Sequence, residues 1–352
     1  MLTFGKNMVT IHNRYGNIKT PVRNSIGAGI VDIGGGWRPL RSLDEVMKKY
    51  YRCDNGYVEH PEWVPYCWVN IEQPDDGDVK FMIDDLGVPS DFVDSIADPD
   101  ERCRIERDGN WKMTILRVPK ASRSDDAPYT TVPLGIITNN EVILTLCYHK
   151  TEQMDDFVNY TRRRGIRITR EEDFVLRIIY STVYWFLRYL RNIGKAVSAA
   201  HQKVSDGIRN EDLIKLQELQ TTLVYFSTSL EGNTMLNERL LHVYGDDYDK
   251  DLYEDVNIEL HQATATTSIY TDILESLQDS FASIISNNVN DVMKKMTAVS
   301  IVLMFPTLVA SFYGMNVTIS YGSYPYLFWI IVGGSLLISC LLFVLLKKFR
   351  WL

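Results

Sequence analysis

The chain has 352 residues, 45% of them hydrophobic and 23% charged, which allows a sizeable core and more than one domain. Its formal net charge of −8 argues against a nucleic-acid binder, which would carry a basic face or stripe. The five cysteines (Cys53, Cys67, Cys103, Cys147 and Cys340) are odd in number, scattered and without a CxxC pair, so neither a disulfide framework nor a thiolate zinc site is indicated.

The opening stretch MLTFGKNMVTIHNRYGNIKT has no continuous apolar run of signal-peptide length, and the N-terminus is expected to stay in the cytosol. GAGIVDIGGG (27–36) has glycines without the Gly-Lys-Ser/Thr end of a phosphate-binding loop, and reads as a flexible lead into a strand. Strands are expected at 66–72, 102–109, 111–119, 132–140 and 141–148, with helices at 78–87 and 151–163. TNNE (138–141) supplies the turn between the last two strands. Residues 1–165 therefore read as a cytosolic α/β domain.

From 166 to 250 the pattern becomes that of a helical hairpin, with helices over 171–204 and 210–243, the second opening on an asparagine cap and first-turn acids. GDDYDKD (245–251) marks the next turn. DDYDKDLYED (246–255) fails as a calcium loop, because Leu252 and Ile258 stand where glycine and a bidentate glutamate are needed. The six histidines form no HExxH or similar pair, so no hydrolytic metal centre is indicated and an enzyme is not expected.

Residues 251–315 read as one very long stalk helix, since neither proline nor glycine interrupts the chain between Leu252 and Pro306. From Thr297 to Leu346 there is no Asp, Glu, Lys or Arg. Two membrane spans fit this block, 297–313 and 326–346, joined by an external loop at 316–325 and followed by a basic cytosolic tail at 347–352. Lys294 and Lys295 before it, and Lys347, Lys348 and Arg350 after it, put both ends in the cytoplasm.

A stripe runs along the long helix at alternating steps of three and four: Asp272, Ser276, Asp279, Ser283, Ser286, Asn290, Met293, Thr297, Ser300, Met304, Thr307, Ser311 and Gly314. None is a branched aliphatic or an aromatic residue. A dry coiled-coil seam wants apolar residues at this spacing, so the stripe fits the wall of a wet pore. Small and hydroxyl residues also mediate packing between membrane helices, which would account for Ser300, Thr307 and Ser311 but less well for Asp272, Asp279 and Asn290.

At the outer end of the first span stands Tyr313-Gly314-Met315-Asn316. This motif, before a C-terminal two-helix membrane hairpin with a basic KKFRWL end, resembles the signature of the CorA family of divalent-cation channels. The resemblance covers nearly the whole chain. It implies a funnel-shaped homopentamer in the cell (inner) membrane that passes Mg²⁺, and often Co²⁺ or Ni²⁺, by passive uptake driven by the membrane potential, with no cofactor beyond Mg²⁺ itself. By the same resemblance Gly314, Met315 and Asn316 form the selectivity filter, Asn290, Met293, Met304 and Thr307 line the pore, and Asp279 lies in its cytoplasmic neck. Asp94, with Asp91 and Asp98 as alternatives in the same acid-rich segment, and Asp255 match the acids that hold a regulatory Mg²⁺ between neighbouring subunits, so that intracellular Mg²⁺ gates the channel.

One departure is the outer loop VTISYGSYPY (317–326), which lacks the acids common in the family. Tyr321, Tyr324 and backbone carbonyls are the candidates to replace them. Two alternatives remain. The zinc-transporting ZntB branch shares the architecture but usually has isoleucine where Met315 stands, and a membrane-anchored sensor or scaffold would use the hairpin only as an anchor.

Overall fold

The structure is a computed structural model that describes residues 48–122, 127–139, 141–203, 209–245, 248–315 and 326–349, together with the backbone of five short strands among the first forty. Those five are β1 (Leu2–Gly5), β2 (Met8–Asn13), β3 (Gly16–Pro21), β4 (Gly29–Asp32) and β5 (Trp37–Leu40). The first three form an antiparallel sheet and the last two a hairpin. The chain divides into two compact units, Met1–Arg191 with Thr222–Thr267, and Asn192–Thr221 with Ser268–Leu352.

The first unit is built on a seven-stranded sheet in the order β7-β6-β8-β12-β11-β10-β9. Its strands are β6 (Lys48–Cys53), β7 (Tyr57–His60), β8 (Trp68–Glu72), β9 (Arg104–Asp108), β10 (Trp111–Ala121), β11 (Tyr129–Thr138) and β12 (Ile143–Cys147). Every neighbouring pair is antiparallel except β8 with β12. Asn139 makes the turn expected between β11 and β12: its side-chain oxygen accepts from the backbone N–H groups of Glu141 (2.8 Å) and Val142 (2.7 Å). An Asx turn does here what Asn-Gly does in a tighter hairpin.

Strand alternation sends successive side chains to opposite faces, and both faces are covered. On one face Val69, Ile71, Met113, Ile115, Leu144 and Leu146 form a core with Met82, Phe92 and Ile96. Met82 comes from the π turn Phe81–Asp85 that continues α1 (Asp76–Lys80), and Phe92 and Ile96 come from α2 (Ser90–Ala97). Gly135 is what lets α2 settle there, because a Cβ at that position would stand 2.0 Å from Ile96 Cδ1. On the other face Trp68 donates to Thr145 (2.8 Å), Thr145 donates to Asn70 (2.7 Å), and the Trp68 ring packs edge-on against Phe157 and Phe174. Phe157 belongs to α3 (Glu152–Arg164) and Phe174 to α4 (Glu171–Lys203).

Helix α5 (Asn210–Tyr244) closes the open part of the sheet edge. β9 pairs only with Trp111 to Ile115 of β10, so the outer backbone groups of Arg117 have no strand beside them. The fully buried Asn233 takes that place: its oxygen accepts from Arg117 N–H (3.0 Å) and its amide donates to Arg117 C=O (2.8 Å). One side-chain amide thus does the work of a neighbouring strand at the position where pairing runs out. Ser229 on the same helix donates to Thr131 (2.8 Å). At the other end of α5 Arg209, and not the expected Asn210, stands at the cap position: its C=O accepts from the N–H groups of Asp212 (3.0 Å) and Leu213 (3.4 Å), and its N–H donates to the Asp212 carboxylate (3.3 Å).

Helix α6 (Lys250–Tyr313) has 64 residues and is unbroken, which at 1.5 Å per residue makes it roughly 96 Å long. α7 (Leu327–Lys348) follows it. Both are long and apolar enough to cross a membrane. The Asn233 clasp yields a direct expectation. Asn233→Ala leaves a buried N–H and C=O unpaired and should cost about 2–4 kcal/mol, whereas Asn233→Asp, which keeps the acceptor but buries a charge, should cost at least as much. Thermal unfolding of the purified variants in one detergent measures both, and midpoints equal to the parent's would remove Asn233 from the account of the edge.

Candidate functional site

The rotational setting of α6 is fixed within the second unit by a short run of contacts. Leu274, Leu277 and Phe281 are buried, and Gln278 donates to Gln220 of α5 (2.8 Å). Tyr270 lies against Gly194 of α4, where any Cβ would meet its hydroxyl at 2.2 Å. On a helix turning about 100° per residue these positions share one side. Asp272, Ser276, Asp279 and Ser283 fall about half a turn away, and all four are exposed.

The same division continues into the apolar half of the helix. Ala298 is fully buried and Val302, Phe305 and Val309 are half-covered, whereas Met293 is 61% and Met304 62% exposed. Ser286, Asn290, Thr297, Ser300, Thr307 and Ser311 are exposed with them. On α7 the covered line contains Ser335 and Ser339, whose hydroxyls donate to Val332 and Ser335 carbonyls of their own helix (2.9 and 3.0 Å). Small residues on that line permit close helix approach. Every stripe residue thus lies on the side of α6 that its own chain leaves uncovered.

The hydroxyls of the stripe are chemically arranged. Thr297 donates to Met293 O (2.8 Å), Ser300 to Met296 O (2.9 Å) and Thr307 to Met304 O (2.7 Å). A hydroxyl that has given its proton to the helix backbone keeps its lone pairs for the outside. The stripe therefore presents oxygen acceptors, amide groups and thioethers, which suits the water shell of a cation. Between Asp279 and Gly314 it holds no charged residue, and the Lys294–Asp291 ion pair (3.8 Å) lies off it.

Pro306 sits inside the helix without ending it. The helix runs to Tyr313, and the motif forms its last turn: Gly314 N–H donates to Ala310 O (2.9 Å) and Met315 N–H to Phe312 O (3.4 Å). A Cβ at Gly314 would meet only ordinary contacts, with Ala310 O at 3.5 Å, so nothing among the described residues requires glycine there. Asn316 and the loop 316–325 lie outside the described residues, as does Arg350 of the basic tail.

The two acids of the expected regulatory site sit on different elements. Asp94 is on the exposed side of α2, opposite Phe92, Val93 and Ile96. Its neighbours are already engaged, Asp98 by the Asp100 N–H (2.9 Å) and Asp91 by the Ser90 hydroxyl (3.5 Å). Burial, and after it the charge of Asp94, pushes the Tyr148 hydroxyl up. The segment after α2 is held by Arg117, which donates to the carbonyls of Pro99 (2.6 Å), Glu101 (3.2 Å) and Thr131 (2.8 Å), and whose own pKa is lowered by burial. Asp255, on α6, is exposed at a cleft with Asp156 and three arginines. Among the described residues no group of three or more His, Cys, Asp or Glu side chains is placed to hold a metal ion. Sequence reading overlooked Arg117, Asn233 and the cleft arginines; the buried polar line of α5, Thr222, Ser229, Asn233 and Asn237, was the signal that its face meets a sheet edge.

Known proteins give the arrangement its context. The sequence model of a family described as "CorA-like Mg2+ transporter protein" matches residues 65–348. The chain is 23% identical over 293 residues to the cobalt/magnesium transport protein CorA of Methanocaldococcus jannaschii, covering 81% of this chain and 91% of that one. It is 23% identical over 307 residues to the CorA of Thermotoga maritima, covering 81% and 83%. The complete structure of the M. jannaschii CorA magnesium transporter superposes with a TM-score of 0.75 at 21% identity, over 88% of this chain and 99% of that one.

The exposure pattern of α6 makes a labelling prediction. In a background without native cysteines, single cysteines at Ser283, Asn290 and Thr307 should react with a hydrophilic thiol reagent about tenfold or more faster than those at Val302 and Val309. Equal rates for the two sets would mean that the stripe does not face water.

Proposed function

We propose that this chain, which belongs to the CorA-like Mg2+ transporter protein family, is a passive Mg²⁺ channel that also admits Co²⁺ or Ni²⁺. Five copies assemble in the membrane with their α6 helices around a common axis, N- and C-termini in the cytoplasm, and the stripe turned inward. The observation that carries this reading is the exposed stripe of α6 from Asp272 to Gly314, polar or small at every step except Met293 and Met304 and without a branched aliphatic or aromatic residue. Copies of the chain can cover that face only with the same residues, and such residues make a wet lumen rather than a packed seam.

The chemistry suits a hydrated ion. Mg²⁺ holds its waters reluctantly and demands near-octahedral oxygen ligation. A ring of Asn316 amides at the outer mouth, beyond the Gly314-Met315 turn, would accept hydrogen bonds from the first-shell waters without removing them. A ring of carboxylates would hold the ion longer, and conduction requires that it leave as readily as it arrives. The C-terminal end of the α6 dipole points at the same mouth and favours cations there, which helps to offset the missing acids of the outer loop. Further in, the hydroxyl lone pairs of Thr307, Ser300 and Thr297 accept from the ion's waters, and Asp279 supplies the first formal charge. An inside-negative potential of 100 mV contributes about 4.6 kcal/mol for a dication, at roughly 2.3 per charge, so no other energy source is required.

For regulation, the free carboxylate of Asp94 and the exposed carboxylate of Asp255 are suited to hold one Mg²⁺ between neighbouring copies. Two facing acids repel each other when the ion is absent, so occupancy biases a closed state over an open one. Gly314, Met315 and Asn316 are the proposed filter, and Met315 favours the magnesium reading over the zinc-transporting branch.

Proteoliposome uptake tests both parts. Asn316→Ala and Asn316→Asp should each lower selective Mg²⁺ uptake by about tenfold or more, roughly 1.4 kcal/mol in barrier terms, while the oligomer stays assembled; undiminished uptake in either would rule out the filter. Asp255→Lys and Asp94→Lys should raise the internal Mg²⁺ needed for closure by about tenfold, the loss of one charged ligand. Closure over the parent's range in both variants would exclude a Mg²⁺-bridged gate at these residues. Zn²⁺ uptake that outcompetes Mg²⁺ would move the protein to the zinc branch.

A further inference from the structure

The first unit contains a cleft of about 490 Å³ between α3, α4 and the start of α6. Arg163 and Arg164, on the last turn of α3, and Arg177 on α4 all line it. None of the three is within ion-pairing distance of an acid among the described residues, although Asp156 and Asp255 line the same cleft. The Nε–H of Arg177 is buried and has no hydrogen-bond partner there. Tyr160, Tyr180 and Tyr184 complete the wall, with the Arg164 guanidinium 6.0 Å above the Tyr160 ring.

A purely structural role explains part of this. Basic residues on the last turn of a helix complement its dipole, and Arg163 and Arg164 stand where that effect operates. Arg177 lies within α4, away from any helix end, and a buried guanidinium donor without a partner is rare enough to require an explanation. A second basic cleft in the same unit provides the contrast. There Arg104 is paired with Glu101 and Glu106, and Arg117 already donates to three backbone carbonyls. The guanidiniums of Arg104 and Arg117 are thus occupied, whereas among the described residues those of Arg163, Arg164 and Arg177 have no carboxylate or carbonyl partner.

We propose that the cleft lined by Arg163, Arg164 and Arg177 is a binding site for a phosphate-bearing anion, the guanidiniums holding the phosphate oxygens. Guanidinium is the side chain best matched to phosphate, because its planar donors meet two oxygens at once. The volume lies in the range of small-molecule sites, and the tyrosine rings offer flat apolar faces on which a base can stack. Free inorganic phosphate and a nucleotide share the chemistry that the arginines recognise, and they differ in their need for the tyrosines.

The test uses the full-length protein in detergent and reads binding directly, so its failure leaves the channel reading untouched. Radiolabelled ATP should bind saturably and be displaced by inorganic phosphate but not by adenosine. Displacement by phosphate at concentrations equal to ATP assigns the site to inorganic phosphate; a clear preference for ATP assigns it to a nucleotide. Arg177→Gln should weaken ATP binding about tenfold, or 1.4 kcal/mol. Because Arg177 is partly buried, the exposed double variant Arg163→Gln/Arg164→Gln is made beside it and should weaken binding to a similar degree. Arg239→Gln in the second cleft should leave binding unchanged. The proposal is overturned if no saturable binding is found, if adenosine displaces as well as phosphate does, or if the double variant binds like the parent.

Discussion

A straight helix of 64 residues keeps a polar line on one side only when its residues step by three and four without a slip, and the line drifts by about 20° per heptad even then. α6 holds that spacing from Asp272 to Gly314 across a change from water-soluble to apolar composition. The covered side, by contrast, changes character with its surroundings. It is Leu274, Leu277 and Phe281 lower down, then Ala298, Val302, Phe305 and Val309. One face is specified by what it packs against and the other by something the single chain does not supply. The proposed assembly around an aqueous lumen accounts for both.

The first unit gains its rigidity from polar groups as much as from its core. The Trp68, Thr145 and Asn70 chain of hydrogen bonds is buried between parallel strands, where an unmet partner would be costly. Asn233 ends the β10 edge by bonding the Arg117 backbone, and the Arg117 side chain ties the acidic segment after α2 to the sheet through the carbonyls of Pro99 and Glu101. Asp94 is thereby presented on a fixed helix rather than on a loose loop, which a gate built from one acid per subunit would need.

Much of this was legible in the sequence because period and composition carry it. The strands from β8 to β12, the helices α3 to α7 and the two apolar spans follow from alternation, helix period and the charge-free block. α2 was not read as a helix: Ser90–Ala97 is only eight residues and its flanks are acidic and proline-bearing, so the apolar triplet Phe92, Val93 and Ile96 is too brief a signal. The pairing of β6 and β7 and the π turn at Phe81–Asp85 depend on tertiary packing that no local pattern encodes. For the stripe, spacing identified the residues and burial then added which side of α6 the chain covers. The arginines of the cleft come from two helices separated by a turn, and only folding brings them to one wall.

The absence of any break in α6 has a mechanical corollary. Asp255 and the stripe that begins at Asp272 belong to one hydrogen-bonded helix with neither glycine nor proline between them. Their angular relation is set by residue count alone. A single inserted residue in that interval would turn everything downstream by about 100° and shift it 1.5 Å along the axis, moving the Thr297, Met304 and Ser311 line off the face it now occupies. Insertions of seven would nearly restore the angle while lengthening the rod by roughly 10 Å. The chain can thus vary in the height of its stalk only by insertions that close a near-whole number of turns, such as seven, eleven or eighteen residues, and length in this segment is quantised by the geometry of the helix.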